Sequence, residues 1–340
     1  MIVVLGGGVA GSAVAWALAR RGAREVHVFD ALPGQGSTFR ALGGFRTQHG
    51  SRLNVELALR SRDFFVERAE RVRFQAHGYL YLAESEEVAV ELQARAEFQR
   101  GLGLPIEHPD PQALLPELKA NDIRGTNYCA LDGLYLPPLV LEAFREEATE
   151  AGAVFHDGEP AVAGMVEQAE AAVVAAGIWS REVGAELEVD LAITAQERGV
   201  WMVGPFEWLK DRRVPMTLEA GSGYHFRERD GHLLLMGPGD QRAWGHFQAW
   251  LRRRLPAAAL EAPSGHWRGY YEVTFDHHAL VGETERPGVW ACCGFSGHGV
   301  MHSPTVGECL AAMILGETPP VDIAALSPQR RQPLVDATQL

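Results

Sequence analysis

The first 30 residues constrain the fold more than any other part of the chain. "MIVVL" is a short apolar run rich in β-branched residues, "GGGVAG" comes next, "SAVAWALARRG" has helical composition, and "EVHVFD" is a second apolar run ending in an acid. The order is strand, glycine turn, helix, strand, with Gly6, Gly8 and Gly11 in G-x-G-x-x-G register. Gly6 makes the tight turn, Gly8 lets a pyrophosphate approach the backbone, and Gly11 lets helix and strand pack closely. Val9 and Ala10 open the helix, whose unpaired amides and positive dipole end suit phosphate. Gly22 is a suitable helix stop. Asp30 ends the second strand, where a carboxylate accepts hydrogen bonds from a ribose diol and repels a ribose 2′-phosphate. The unit predicts dinucleotide binding.

Beyond Asp30 the chain departs from a simple dehydrogenase. "ALPGQGSTFRALGGFRTQHG" is glycine-rich and polar, so it is not the next crossover helix. Amphipathic spacing predicts a helix over 54–72 and, after a turn, a helix of about four turns within 132–152, and 86–102 and 240–255 also read as helical. "AAVVAAGIWS" reads as a buried strand ending at Gly177, and "GVWACC" as the last strand. Strand-like runs dominate 185–275. A final helix is expected at 303–315, with Ser303 as N-cap and Pro304 as first helical residue. The expected class is mixed α/β (α+β): a discontinuous Rossmann-like cofactor domain with an inserted substrate domain built on a mostly antiparallel sheet. The cofactor domain takes residues 1–60, 135–184 and 275–320, and the substrate domain 61–134 and 185–274. Residues 321–340 form a tail expected on the surface.

Composition narrows the function. The net charge of −13 argues against nucleic acid and anionic membrane as partners, because both need clustered positive charge. Residues 1–19 carry no charged side chain, but no basic segment precedes them and glycines interrupt them, so neither a signal peptide nor a membrane span is expected. Cys129, Cys292, Cys293 and Cys309 show no CxxC spacing, which fits a reduced, cytoplasmic setting. His298 and His302 sit in a glycine loop without an acid or cysteine ligand beside them, so no metal is expected.

Taken in order, "VVLGGGVAGSAVAWALARRG", "GSTFRALGGFR", "VVAAGIWS", "GYYEVTFDHHALVG" and "GFSGHGVMHSPTVGE" resemble the glycine oxidase, sarcosine oxidase and D-amino-acid oxidase family, nearest the sarcosine and proline dehydrogenase branch. The resemblance implies noncovalent FAD and oxidation of an amine's C–N bond. It places Gly36, Ser37, Arg40, Gly43 and Gly44, then Ala176, Gly177 and Trp179, against the cofactor. It lays the loop Gly294, Phe295, Ser296, Gly297, His298, Gly299, Val300 and Met301 along the isoalloxazine ring. Arg46 corresponds to the arginine that holds a substrate carboxylate, a task suited to its planar fork. Tyr271 corresponds to an active-site tyrosine. Tyr224 and Arg227 in "GYHFRE" are further candidates, with His225 expected as an ordinary strand residue.

The chain also departs from that pattern. Met301 and Leu235 stand where sarcosine oxidase has lysines, Gly239 where it has a histidine, and Gly269 near its flavin-linking cysteine. Tyr271 stands where the glycine oxidase branch has an arginine. Segment 153–172 is short for the family's strand hairpin, which bears on the adenine side. These departures favour dehydrogenase over oxidase, with oxygen or another redox partner as acceptor. They also leave open a flavin-binding subunit or assembly factor of a larger complex, with little activity alone. A homo- or hetero-oligomer is compatible with the sequence.

Overall fold

The computed structural model describes residues 1–161, 163–238, 243–260 and 262–334; Gly239 lies outside them. A six-stranded sheet has the order Leu280–Glu283, Val289–Cys293, Ala171–Val174, Ile2–Leu5, Val26–Asp30, Val154–Asp157. The last five run parallel, and Leu280–Glu283 returns antiparallel on the edge. The central strand is buried on both faces, which explains its unbroken apolar run. Ile2 and Val4 face a core shared with helices Val9–Arg20, Pro137–Glu150 and Gly299–Ile314. Val3 and Leu5 face the opposite core, with Leu187 and Leu191.

An eight-stranded, mostly antiparallel sheet has the order Gly265–Val273, Thr194–Val203, His232–Met236, His225–Arg229, Met216–Glu219, Tyr79–Ala83, Gly125–Cys129, Ile106–Glu107. The pairing of Met216–Glu219 with Tyr79–Ala83 is parallel. Strand alternation sorts its side chains. Leu80, Phe226, Leu233 and Leu235 pack under helix Trp244–Arg254, while Tyr79, Tyr81, Leu234 and Met236 form a core on the other face. Beneath the sheet the fully buried Arg254 donates to Glu219 and to Asp122, joining that helix to the strand Met216–Glu219.

Two expectations require correction. The last helix starts at Gly299, not at Ser303. Pro304 lies inside it and cannot donate to the Val300 carbonyl; the Ser303 hydroxyl donates there instead, at 2.9 Å. The described part of the tail, residues 321–334, is also partly buried rather than wholly on the surface. Ile323 and Leu326 are buried, and Arg330 donates to both oxygens of Asp276 at 2.7 and 2.9 Å. Among the described residues no helix is long and apolar enough to cross a membrane.

Candidate active site

One cavity of about 900 Å³ runs from the first glycine turn to the upper face of the eight-stranded sheet. At one end stand Gly6, Gly8, Val9 and Ala10. Gly6 has φ +113°, and a Cβ there would come within 2.4 Å of the Ala175 carbonyl oxygen. Only glycine fits this turn. Gly8 caps the helix with no side-chain hydrogen bond of its own, and the Val9 amide donates to Thr38 Oγ1 at 3.3 Å. Gly11 does not line the cavity. A Cβ there would lie 1.9 Å from Gly6 O, so it serves the helix–strand approach expected of it. Asp30 lines the same end and accepts from the Leu32 amide at 3.1 Å.

The middle is lined by Gly36, Ser37, Arg40, Gly43 and Gly44 on one side and by Ala176, Gly177 and Trp179 on the other. Ser37 donates to Tyr270 O at 2.6 Å, fastening this loop to the strand Gly265–Val273. Phe295, Ser296, Gly297, His298, Gly299, Val300 and Met301 form the far wall. Because the helix begins at Gly299, its uncapped N-terminus stands at the cavity. The two helices whose N-termini face the cavity pack tightly on each other, since a Cβ at Gly307 would lie 2.7 Å from Ala13 O. Gly294 is not part of the lining. Its φ is +73°, and its missing side chain makes room for Thr274. Gly297, with φ +94°, makes room for the Tyr271 ring.

Arg46 lines the cavity beyond the short strand Gly44–Phe45. It is held from both sides: one terminal nitrogen donates to Tyr81 Oη at 2.8 Å, the other to His298 Nε2 at 2.7 Å. No carboxylate pairs with it among the described residues. The next two residues are clamped in turn. Thr47 donates through its amide and hydroxyl to Asp132 Oδ1, both at 2.6 Å, and Gln48 donates to Oδ2 at 2.9 Å. Burial first, and the Arg46 charge second, hold His298 well below the usual histidine pKa and bring His302 to about 3. His298 is therefore a neutral acceptor. Tyr271 lines the cavity, its hydroxyl 3.5 Å from Met236 Sδ.

Four sequence assignments, at Tyr224, His225, Arg227 and Leu235, fall on the wrong face or the wrong task. Tyr224 does not line the cavity; it stacks on Trp250 under the sheet. Its neighbour His225, expected to be ordinary, lines the cavity instead, and burial lowers it to about 4. Arg227 shares His225's face but is occupied by the carbonyls of Leu42, Gly43 and Tyr135. Leu235 points to the core beneath the sheet, and Met236 faces the cavity. The argument from an apolar residue at the lysine position therefore does not apply at Leu235. Among the described lining residues there is no lysine.

The cavity also holds residues that the sequence did not single out. Tyr79 lines it beside Arg46. Arg198 stands over the Tyr271 ring, 5.4 Å from its centre, and adds a second guanidinium. Arg145 joins the glycine-turn end and pairs with Asp157 at 2.6 Å. Glu272, beside Tyr271, has no partner on its Oε2. Of these, strand parity was a signal for Arg198 alone, which lies two residues from Gln196, the cross-strand partner of Tyr271.

Comparison with known proteins agrees with this architecture. Residues 1–313 match the family model described as FAD dependent oxidoreductase. Glycine oxidase of Geobacillus kaustophilus is 27% identical, the match covering 96% of each chain. FAD-dependent oxidoreductase domain-containing protein 1 of Xenopus laevis is 27% identical over 92% of this chain and 79% of that protein. The crystal structure of L-proline dehydrogenase from P. horikoshii superposes with a TM-score of 0.86 at 24% identity, covering 97% of this chain and 96% of that one. The resemblance read from the motifs is thus upheld: the chain belongs to the family of FAD-dependent oxidoreductases, and FAD is its cofactor.

Proposed function

We propose that the chain oxidises the C–N bond of an amino acid or secondary amine that carries a carboxylate, with transfer of a hydride equivalent to flavin N5. The observation that carries this reading is Arg46, a guanidinium fixed at the cavity by Tyr81 and His298 and paired with no described acid. A half-buried cation with no acid partner calls for an anionic ligand. The similarity to a glycine oxidase over nearly the whole chain supports the same substrate class.

The residues present fit the cofactor. The Gly6–Gly8 turn and the uncapped helix behind it would take the pyrophosphate, and Asp30 the adenosine ribose. Loop 36–44 and loop 294–301 would flank the flavin, with the Gly299 helix N-terminus favouring negative charge on it. None of the four cysteines lines the cavity, which supports noncovalent attachment. The flavin, when bound, supplies the two-electron acceptor. Arg46 fixes the substrate carboxylate, and neutral His298 orients Arg46 without competing for the anion. Tyr271 and Met236 wall the space around the reacting carbon. In this reading residues 1–60, 135–184 and 275–320 carry the cofactor, and 61–134 and 185–274 shape the substrate side.

The test is an anaerobic screen of amino acids, N-alkyl amino acids and their decarboxylated amines for bleaching of the bound flavin. Bleaching confined to carboxylate-bearing amines is expected. Reduction by simple amines alone would overturn the reading. No reduction by any of them would favour a flavin-binding subunit without turnover of its own.

A further inference from the structure

Glu272 lines the cavity on the strand that carries Tyr271, and half of its carboxylate is unsatisfied. Oε1 accepts from the Phe295 amide at 3.3 Å, and the residue's own carbonyl accepts from the Ser296 amide at 2.9 Å. The side chain is thereby fixed. Oε2 is shielded from water and has no hydrogen-bond partner. Its neighbour across the cavity wall is Gly177, where an added Cβ would sit 3.9 Å from Oε2. The titratable groups that sense its charge are Cys292 and Cys293 of the six-stranded sheet, both thiols kept neutral by burial. No cation donates to it among the described residues. Burial pushes the carboxyl up to about 7, the mark of an acceptor without enough donors.

Its position along the cavity identifies the missing donors. Gly177 follows Ala175, whose carbonyl abuts Gly6 in the pyrophosphate turn, while Tyr271 lies with Arg46 at the other end. Glu272 therefore stands between the two. In FAD, the segment between pyrophosphate and ring is the ribityl chain, which offers hydroxyl donors and no charge. We propose that Glu272 is a cofactor-binding residue whose free oxygen accepts hydrogen bonds from the ribityl hydroxyls of FAD. A hydroxyl donor there supplies the hydrogen bond that the protein leaves unmade at Oε2.

The experiment is a cycle of dissociation constants on protein stripped of flavin, read by quenching of flavin fluorescence. Wild type, Glu272→Ala and Glu272→Gln are titrated with FAD and with FAD analogues each lacking one ribityl hydroxyl. Binding of ADP, measured calorimetrically, reports on the adenosine end and on folding. Glu272→Ala should weaken FAD roughly ten- to a hundred-fold and leave ADP unchanged. Glu272→Gln, which keeps an acceptor without the charge, should fall between, and it serves as the test variant if the alanine variant does not fold. At least one deoxy analogue should bind wild type as weakly as FAD binds the alanine variant, with no further loss when both changes combine. Equal FAD affinity in all three proteins, an equal loss on ADP, or fully additive losses for every analogue would each overturn the proposal.

Discussion

Arg46 owes its position to partners far away in the chain. Tyr81 and His298 fix its two terminal nitrogens, and neither is near it in sequence. Removing one partner should loosen the fork without removing the charge. Tyr81→Phe should therefore lower the limiting rate of flavin reduction roughly ten-fold while FAD affinity stays constant, as rapid-mixing and titration measurements would show. An unchanged rate would mean that Tyr81 does not orient Arg46. Asp30 acts at the other end of the cavity. Asp30→Ala should weaken FAD roughly ten- to a hundred-fold, and an unchanged dissociation constant would remove it from the site. Asp30 was legible from its place at the end of the glycine-turn unit and Arg46 from the family resemblance at "GGFR", and both line the cavity. Tyr224 and Leu235 were not placed correctly, because in a strand a single position decides which face a side chain joins, whereas Arg227 has the cavity-side parity but spends its guanidinium on backbone carbonyls. Only the register Phe226↔Leu235 and His225↔Met236 settles that choice.

At the scale of elements, the site depends on two helices that bring their N-termini to one cavity. Gly307 permits their close approach, and even Ala there would press a methyl group against the Ala13 carbonyl. Gly307→Ala should cost about 1–3 kcal/mol in thermal or denaturant unfolding and weaken FAD as well, since both helix ends would shift. Loss of stability with FAD affinity intact would show that the approach serves packing alone. The start of the second helix was misread because Ser-Pro is a strong local signal for a helix beginning. The Ser303 hydroxyl, by filling the gap that Pro304 leaves at Val300 O, lets the helix extend one turn further back. The first strand–turn–helix unit was read correctly because its determinants are local: Gly6 and Gly11 are required by the Ala175 and Gly6 carbonyl oxygens respectively.

At the scale of the whole molecule, residues 317–334 return to the six-stranded sheet, and their anchor is the buried pair of Arg330 with Asp276. Nothing local in sequence reports such a pair, which is why the tail was expected on the surface. Burial alone would raise Asp276, but hydrogen bonds from Arg330 and from the Leu334 and His278 amides outweigh it and bring the carboxyl down to about 2. A folded-state pKa below the ordinary carboxylate value stabilises the fold above that value, and the contribution is lost as pH falls through about 2. Arg330→Ala should therefore destabilise by about 3 kcal/mol at neutral pH, with the gap to wild type closing below about pH 4. A gap independent of pH would point to lost packing alone. The central claim concerns what the whole cavity selects, and one measurement addresses it directly: anaerobic flavin reduction by an amino acid and by its decarboxylated amine, in wild type and Arg46→Ala. The carboxylate-bearing member should lose both affinity and limiting rate in the variant while the amine changes little, and Arg46→Lys should not restore it. Equal losses on both members of the pair would contradict the account.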